Sequence, residues 1–313
     1  MTKILICSAG TGSAFSFARA IKQNWLDSVE LHVCDVNRKE YVTASLFSDR
    51  FYQVPYSIDT KYRDVILDII LSNRINIVLC FTNQDFEFFS KLKEEKIANG
   101  LLFSFPDGIA ADIAVDKLLC SEFLKNNNIP TPEIYSSYID LPERFFVKPI
   151  NGYGSKNSFI EYKKNILTID PMYIYQEIVK TPEVTVDCFS DLDNDFFHTT
   201  CRERIEVKNG VCTKARIFYD DSLNEYAKAI SKALKINGGF CFQVMCSGGI
   251  WVVTDLNIRL GSGTAISKKI GNDYFSATVA LLLNEDYRQY LGERHMDKSY
   301  YVTRQYSEYL MNA

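Results

Sequence analysis

The chain has 313 residues, 47% hydrophobic and 24% charged, enough for two or three packed subdomains and ordinary for a soluble globular protein. Its 35 basic and 39 acidic residues give a net charge of −4, so nothing draws it generally to nucleic acid or to an anionic membrane, and any anion site must be local. Nine cysteines without a CxxC pair and only three histidines (His32, His198, His295) argue against zinc, and the pair Cys241 and Cys246 reads as structural. Cys7, Cys34 and Cys80 lie in apolar runs, which suggests a reduced, cytoplasmic protein. No run is long and apolar enough to cross a bilayer, and the apolar N-terminal stretch is too short for a signal-peptide core.

The first hundred residues alternate short apolar runs with amphipathic ones. Strands are predicted at Ile4 to Cys7, Val29 to Cys34 and Ile75 to Phe81, and helices at Phe15 to Trp25, Arg63 to Leu71 and Asp85 to Lys93. That order implies a Rossmann-like parallel sheet with covering helices. A break at Phe105-Pro106-Asp107-Gly108 marks a boundary, followed by one helix from Ala114 to Asn126. The remainder is richer in strands: Arg144 to Lys148, Ser158 to Tyr162, Met172 to Ile178, Val184 to Ser190, Arg202 to Val207, Cys212 to Phe218, Phe240 to Cys246 and Ile250 to Ile258, with a helix at Asn224 to Leu234. The expected division is an α/β domain over 1–105 and an α+β domain over 106–313.

Three places carry chemistry. Gly10 and Gly12 follow a strand and precede a helix, as in a dinucleotide turn, but the third glycine position holds Phe15; Asp35, at the next strand end, would suit a ribose. Lys148 ends an apolar strand and precedes Gly152 and Gly154, a cationic strand end feeding a flexible loop that suits nucleotide phosphates. In Thr254-Asp255-Leu256-Asn257-Ile258-Arg259, alternation puts Asp255, Asn257 and Arg259 on one face, a set suited to Mg²⁺ and phosphate. Gln243 on the preceding strand joins that face if Ser247-Gly248-Gly249 is a three-residue loop, and leaves it if only Gly248-Gly249 turns.

Together with Val115-Asp116-Lys117, Asn128-Ile129-Pro130-Thr131-Pro132, Val147-Lys148-Pro149, Gly152-Tyr153-Gly154-Ser155, Tyr175-Gln176-Glu177-Ile178-Val179 and Glu183, these stretches resemble ATP-grasp proteins, specifically the stand-alone kind similar to the synthetase half of carbamoyl-phosphate synthase large subunits. Ser48 to Pro55 and Asp85-Phe86-Glu87 resemble the pre-ATP-grasp domain. The resemblance covers nearly the whole chain. It implies a mobile lid over about 115–178, a metal and substrate subdomain over about 179–313, and a carboxylate–amine ligase that forms an amide through an acyl phosphate.

The resemblance also implies roles. Lys117 and Lys148 would contact phosphates, and the loop carrying Gly152, Gly154 and Ser155 would close over the γ-phosphate. Glu177, Ile178 and Val179 would read adenine, and Glu183 the ribose. Arg202 and Arg204 would lie near the phosphates, Arg202 having a solvated strand face as its alternative. Gln243, Asp255 and Asn257 would hold Mg²⁺, with Mn²⁺ able to stand in, and Arg259 would border the acyl phosphate. Partners would be a small acid, such as an amino acid or sugar acid, and an amine; a homodimer is compatible.

Two positions depart from the pattern: Asp255 stands where Glu is usual, and Thr181-Pro182 where a glycine usually precedes the ribose glutamate. An ATP-binding protein without turnover and an NAD(P)-dependent oxidoreductase are the alternative readings.

Overall fold

The computed structural model describes residues 1–97, 100–106, 109–152, 157–208 and 210–311. The chain opens with β1 (Thr2–Ile6), α1 (Gly12–Asn24), β2 (Val29–Asp35), β3 (Arg50–Gln53), α2 (Tyr62–Asn73), β4 (Ile77–Leu79), α3 (Asn83–Glu94) and β5 (Leu102–Phe103). These strands form a parallel sheet in the order β3-β2-β1-β4-β5. Ile4, Leu5 and Ile6 are wholly buried because helices cover both faces, which explains the unbroken apolar run of β1.

Where one helix is predicted from Ala114 to Asn126, two occur: α4 (Ala110–Val115) and α5 (Lys117–Asn126). Asp116 between them is extended, and its carboxylate accepts from the Leu118 and Leu119 amides at 2.8 and 3.0 Å. The acid satisfies amides that α5 itself cannot, so the chain restarts rather than continues. Lys117 thereby becomes the first residue of α5.

A small antiparallel sheet follows, β6 (Arg144–Pro149), β7 (Phe159–Tyr162) and β8 (Tyr173–Gln176), in the order β7-β6-β8. Then come β9 (Lys180–Asp191), β10 (Phe196–Lys208), β11 (Val211–Phe218), α6 (Asp221–Leu234), β12 (Gly238–Ser247), β13 (Ile250–Asn257), α7 (Tyr274–Leu282) and β14 (Tyr300–Thr303). Their six strands form an antiparallel sheet in the order β13-β12-β9-β10-β11-β14. Val184, Val186, Phe240, Phe242 and Val244 bury one face under Leu223, Ala227, Ile230 and Leu234 of α6. Alternation sends the intervening polar residues to the other face.

Candidate functional site

Two lateral rows cross that polar face. Register aligns Asp255, Gln243, Thr185 and Arg202 in one row, and Asn257, Cys241, Asp187 and Thr200 in the next. The Gln243–Asp255 alignment arises in a way the sequence does not show. Ser247 pairs with Ile250, so the turn is the two-residue one, Gly248 and Gly249 with φ of 56° and 85°. That turn alone would send Gln243 to the opposite face. A β-bulge corrects it: Val244 faces Val253, but Gln243 faces Asp255, leaving Thr254 as the extra residue.

The bulge also supplies an acceptor. The Thr254 carbonyl accepts from Lys148 Nζ at 3.1 Å, joining the small sheet to the large one. Burial pushes the Lys148 ammonium below the ordinary lysine range and Asp255 opposes the shift, while Lys117 adds to it. Lys117 Nζ donates to the Gly152 carbonyl at 2.6 Å, and its amide donates to Ile150 at 3.1 Å. Lys117, Lys148, Gln176 and Asp255 line one cleft with Ile134 and Cys120, whose thiol burial pushes up to about 12. Ile134 and Cys120 were not singled out from sequence, and Gln176 appeared there only within the stretch Tyr175 to Val179, without a role of its own.

Asn257 Nδ2 donates to Asp255 Oδ2 at 3.2 Å, and the Arg259 guanidinium donates to the Leu260 carbonyl at 3.2 Å. Glu177 bonds through its carboxylate to the Glu133 amide at 3.2 Å and the Ser247 hydroxyl at 3.3 Å. Its side chain therefore braces the junction of β8 with the β12 turn. Ile178 and Val179 are half-buried in the crossing from the small sheet to β9. Glu183 and Arg204 form an ion pair, with Arg204 also donating to the Gly210 carbonyl at 3.1 Å. Gly154 and Ser155 lie outside the described residues.

Neither the phosphate-contact reading nor the solvated-face reading describes Arg202. It is 2% exposed and bonds Asp187 in fork fashion at 2.6 and 2.9 Å, while Thr264 and Ser267 hydroxyls donate to the same carboxylate. Gly263 lets this packing happen, since a Cβ there would lie 2.9 Å from Arg202 Nη1.

The dinucleotide reading fails on geometry. Asp35 accepts from the Gly10 amide at 2.7 Å and from the Asn37 amide and side chain at 2.9 and 2.8 Å, so three of its acceptor positions serve the fold. Ser262 fills the space before α1, its Cβ 2.8 Å from where a Gly12 Cβ would stand, and Ser13 donates to the Leu260 carbonyl at 3.0 Å. The glycine turn is a docking point for the second half of the chain.

A parallel α/β unit is thus joined to a small antiparallel sheet that meets a large one where Lys148 reaches the Thr254 carbonyl. Residues 114–263 match the ATP-grasp domain and residues 4–103 the PylC-like, N-terminal domain. The chain therefore carries an ATP-grasp domain behind a PylC-like N-terminal domain.

Solved structures share the fold. N5-carboxyaminoimidazole ribonucleotide synthetase from Thermotoga maritima is 19% identical, with 94% of this chain and 78% of that one covered and a TM-score of 0.68. N5-carboxyaminoimidazole synthetase from Staphylococcus aureus complexed with ADP gives 14% identity, 91% and 78% coverage and a TM-score of 0.70. The biotin carboxylase domain dimer of Hydrogenobacter thermophilus 2-oxoglutarate carboxylase, in complex with MgADP, ADP and bicarbonate, gives 13%, 91% and 70%, and 0.71. No curated protein sequence matches significantly. Among the described residues, no helix is long and apolar enough to cross a membrane.

Proposed function

We propose that this protein is an ATP-dependent carboxylate–amine ligase acting on a small acid such as an amino acid or sugar acid. The observation that carries the reading is the meeting of Lys148 with the face bearing Asp255, Gln243 and Asn257. A carboxylate oxygen attacks the γ-phosphorus of ATP, and the bond to the bridging oxygen breaks, leaving ADP with the electron pair. The amine then attacks the acyl carbon, phosphate departs and the amine loses a proton.

The chain contributes charge and alignment to both steps. Lys117 and Lys148 take phosphate oxygens, with Gly152 to Ser155 closing over them. Glu177 fixes the hinge whose backbone at Ile178 and Val179 faces adenine, and Glu183 takes the ribose. Arg204 and Arg259 stand against the transferring phosphoryl group.

The donor set suits a shared metal. Among the described residues, no group of three or more His, Cys, Asp and Glu could hold an ion; with Asp187 closed onto Arg202, Asp255 is left beside two amides, Gln243 and Asn257. Such a set fits Mg²⁺, or Mn²⁺ in its place, bound jointly with nucleotide phosphates. Gln243, Asp255 and Asn257 would hold it, and when bound it supplies charge neutralisation for the phosphates.

The proposal places the domain division at 105/106, with the lid over about 115–178 and the metal subdomain over about 179–313. A homodimer and a cytoplasmic setting belong to it; the described cysteines are all free thiols, in keeping with the latter. The solitary carboxylate also favours a second reading, ATP binding without turnover. Release of ADP from ATP with Mg²⁺ and panels of acids and amines tests the proposal. Lys148→Ala should cut it at least about tenfold, the loss of a charge-assisted phosphate contact. Unchanged release in the variant refutes the assignment.

A further inference from the structure

Arginines that leave the surface of this chain almost all take an acid with them. Arg63, Arg202, Arg204, Arg216 and Arg294 are buried or half-buried, and each has a carboxylate partner: Glu95, Asp187, Glu183, Glu203 and Asp221. Two others are half-buried without one among the described residues, Arg259 and Arg304. Both bond backbone carbonyls of the same turn. Arg259 donates to Leu260 at 3.2 Å, and Arg304 donates to Ser262 at 3.1 Å.

Arg304 follows β14, the edge strand of the large sheet, and its amide is fixed to the Thr213 carbonyl at 2.8 Å. Burial and the neighbouring Arg202 both act against its charge. Arg202 has its own counter-charge in Asp187, whereas among the described residues half-buried Arg304 has only a neutral carbonyl, so an arriving anion is favoured there. The turn it touches is also where α1 docks, through Gly12 and Ser13, so the turn is held from both sides.

We infer that Arg304 is a specificity-determining residue that binds a second anionic group on the acid substrate, while Arg259 faces the carboxylate being activated. The substrate class is therefore an acid with two anionic groups, such as a dicarboxylate. The inference rests on the ligase reading above and narrows its substrate.

The experiment compares acids in pairs that differ only by the second charge: glutamate with glutamine, aspartate with asparagine, and glutarate with glutaramate. ADP release from Mg–ATP with a panel of amines is measured for the parent, Arg304→Gln and Arg304→Lys. At least one dianionic member should stimulate release more than its amide. Arg304→Gln should raise KM for that dianion at least about tenfold while leaving KM for its amide partner within about twofold, and Arg304→Lys should recover part of the loss. A structural role would raise both constants alike.

Equal stimulation by both members of every pair, stimulation by none, or equal KM changes in Arg304→Gln overturns the inference. Binding of ADP with Mg²⁺ to the parent separates the two levels. If ADP binds and the pairs fail, only the substrate assignment falls; if ADP does not bind, the ligase reading falls with it.

Discussion

Asp35 and Asp255 both stand at or near the end of a strand, each close to a glycine-bearing turn, and they differ in what they have left to offer. Asp35 accepts three hydrogen bonds from Gly10 and Asn37, whereas Asp255 accepts one, from Asn257. The arginines divide the same way: Arg202 is closed into a fork with Asp187, while Arg259 holds a single carbonyl. A polar group satisfied inside the protein stabilises the fold, and one left partly satisfied in a cleft is available to a ligand. The candidate face is thus set apart less by its residue types than by its unfilled valences.

The largest expected effect falls on the closed side. Asp187→Ala leaves Arg202 buried without a counter-charge and should cost about 3–5 kcal/mol of stability, read from the urea midpoint. A destabilisation comparable to that of a surface substitution would erase the distinction.

His198 belongs to the same closed side, bonded to the Tyr274 hydroxyl at 2.8 Å and the Gly292 carbonyl at 2.9 Å. Burial lowers its pKa from the ordinary 6.5 to about 4. The unfolded chain binds this proton first, so stability is full above about 6.5 and drains away as pH falls towards about 4, by about 3 kcal/mol from this group. Urea midpoints across that window should show the loss in the parent and not in His198→Gln.

On the open side the response reverses. Asp255→Asn should lower ADP release at least about tenfold while moving stability by less than about 0.5 kcal/mol. If release is unchanged, binding without turnover becomes the better account. Gly12→Ala should cost about 1–3 kcal/mol of stability through its clash with Ser262, and a variant as stable as the parent would deny the docking role. Asp255→Glu should be the mildest, with release within about threefold of the parent, because one added methylene keeps the carboxylate on the same face.

Much of this was legible in the sequence. Alternation put Asp255 and Asn257 side by side, with Arg259 just past the end of β13, and the short apolar runs foretold the parallel sheet. The bulge at Thr254 was not legible, because register depends on partners across the sheet rather than on local composition. The break at Asp116 carried a signal, an acid ahead of a helical run, that the apolar period of the surrounding residues masked. The run Tyr274–Leu282 became α7 behind a capping Asp273, but a segment whose only polar residues, Ser276 and Thr278, are buried with the rest has no amphipathic period to reveal it. Arg304 had no local signal at all; only after folding does it emerge, with Arg259, as a half-buried arginine without an acid among the described residues.

The central claim is that nucleotide and metal share one site, with phosphates supplying the ligands that Asp255 alone lacks. The melting temperature of the parent chain with Mg²⁺ alone, ADP alone and both together tests it most directly. The account predicts no shift with Mg²⁺ alone, a small one with ADP, and the largest with both. A full shift from Mg²⁺ alone, or an ADP shift indifferent to Mg²⁺, would contradict it.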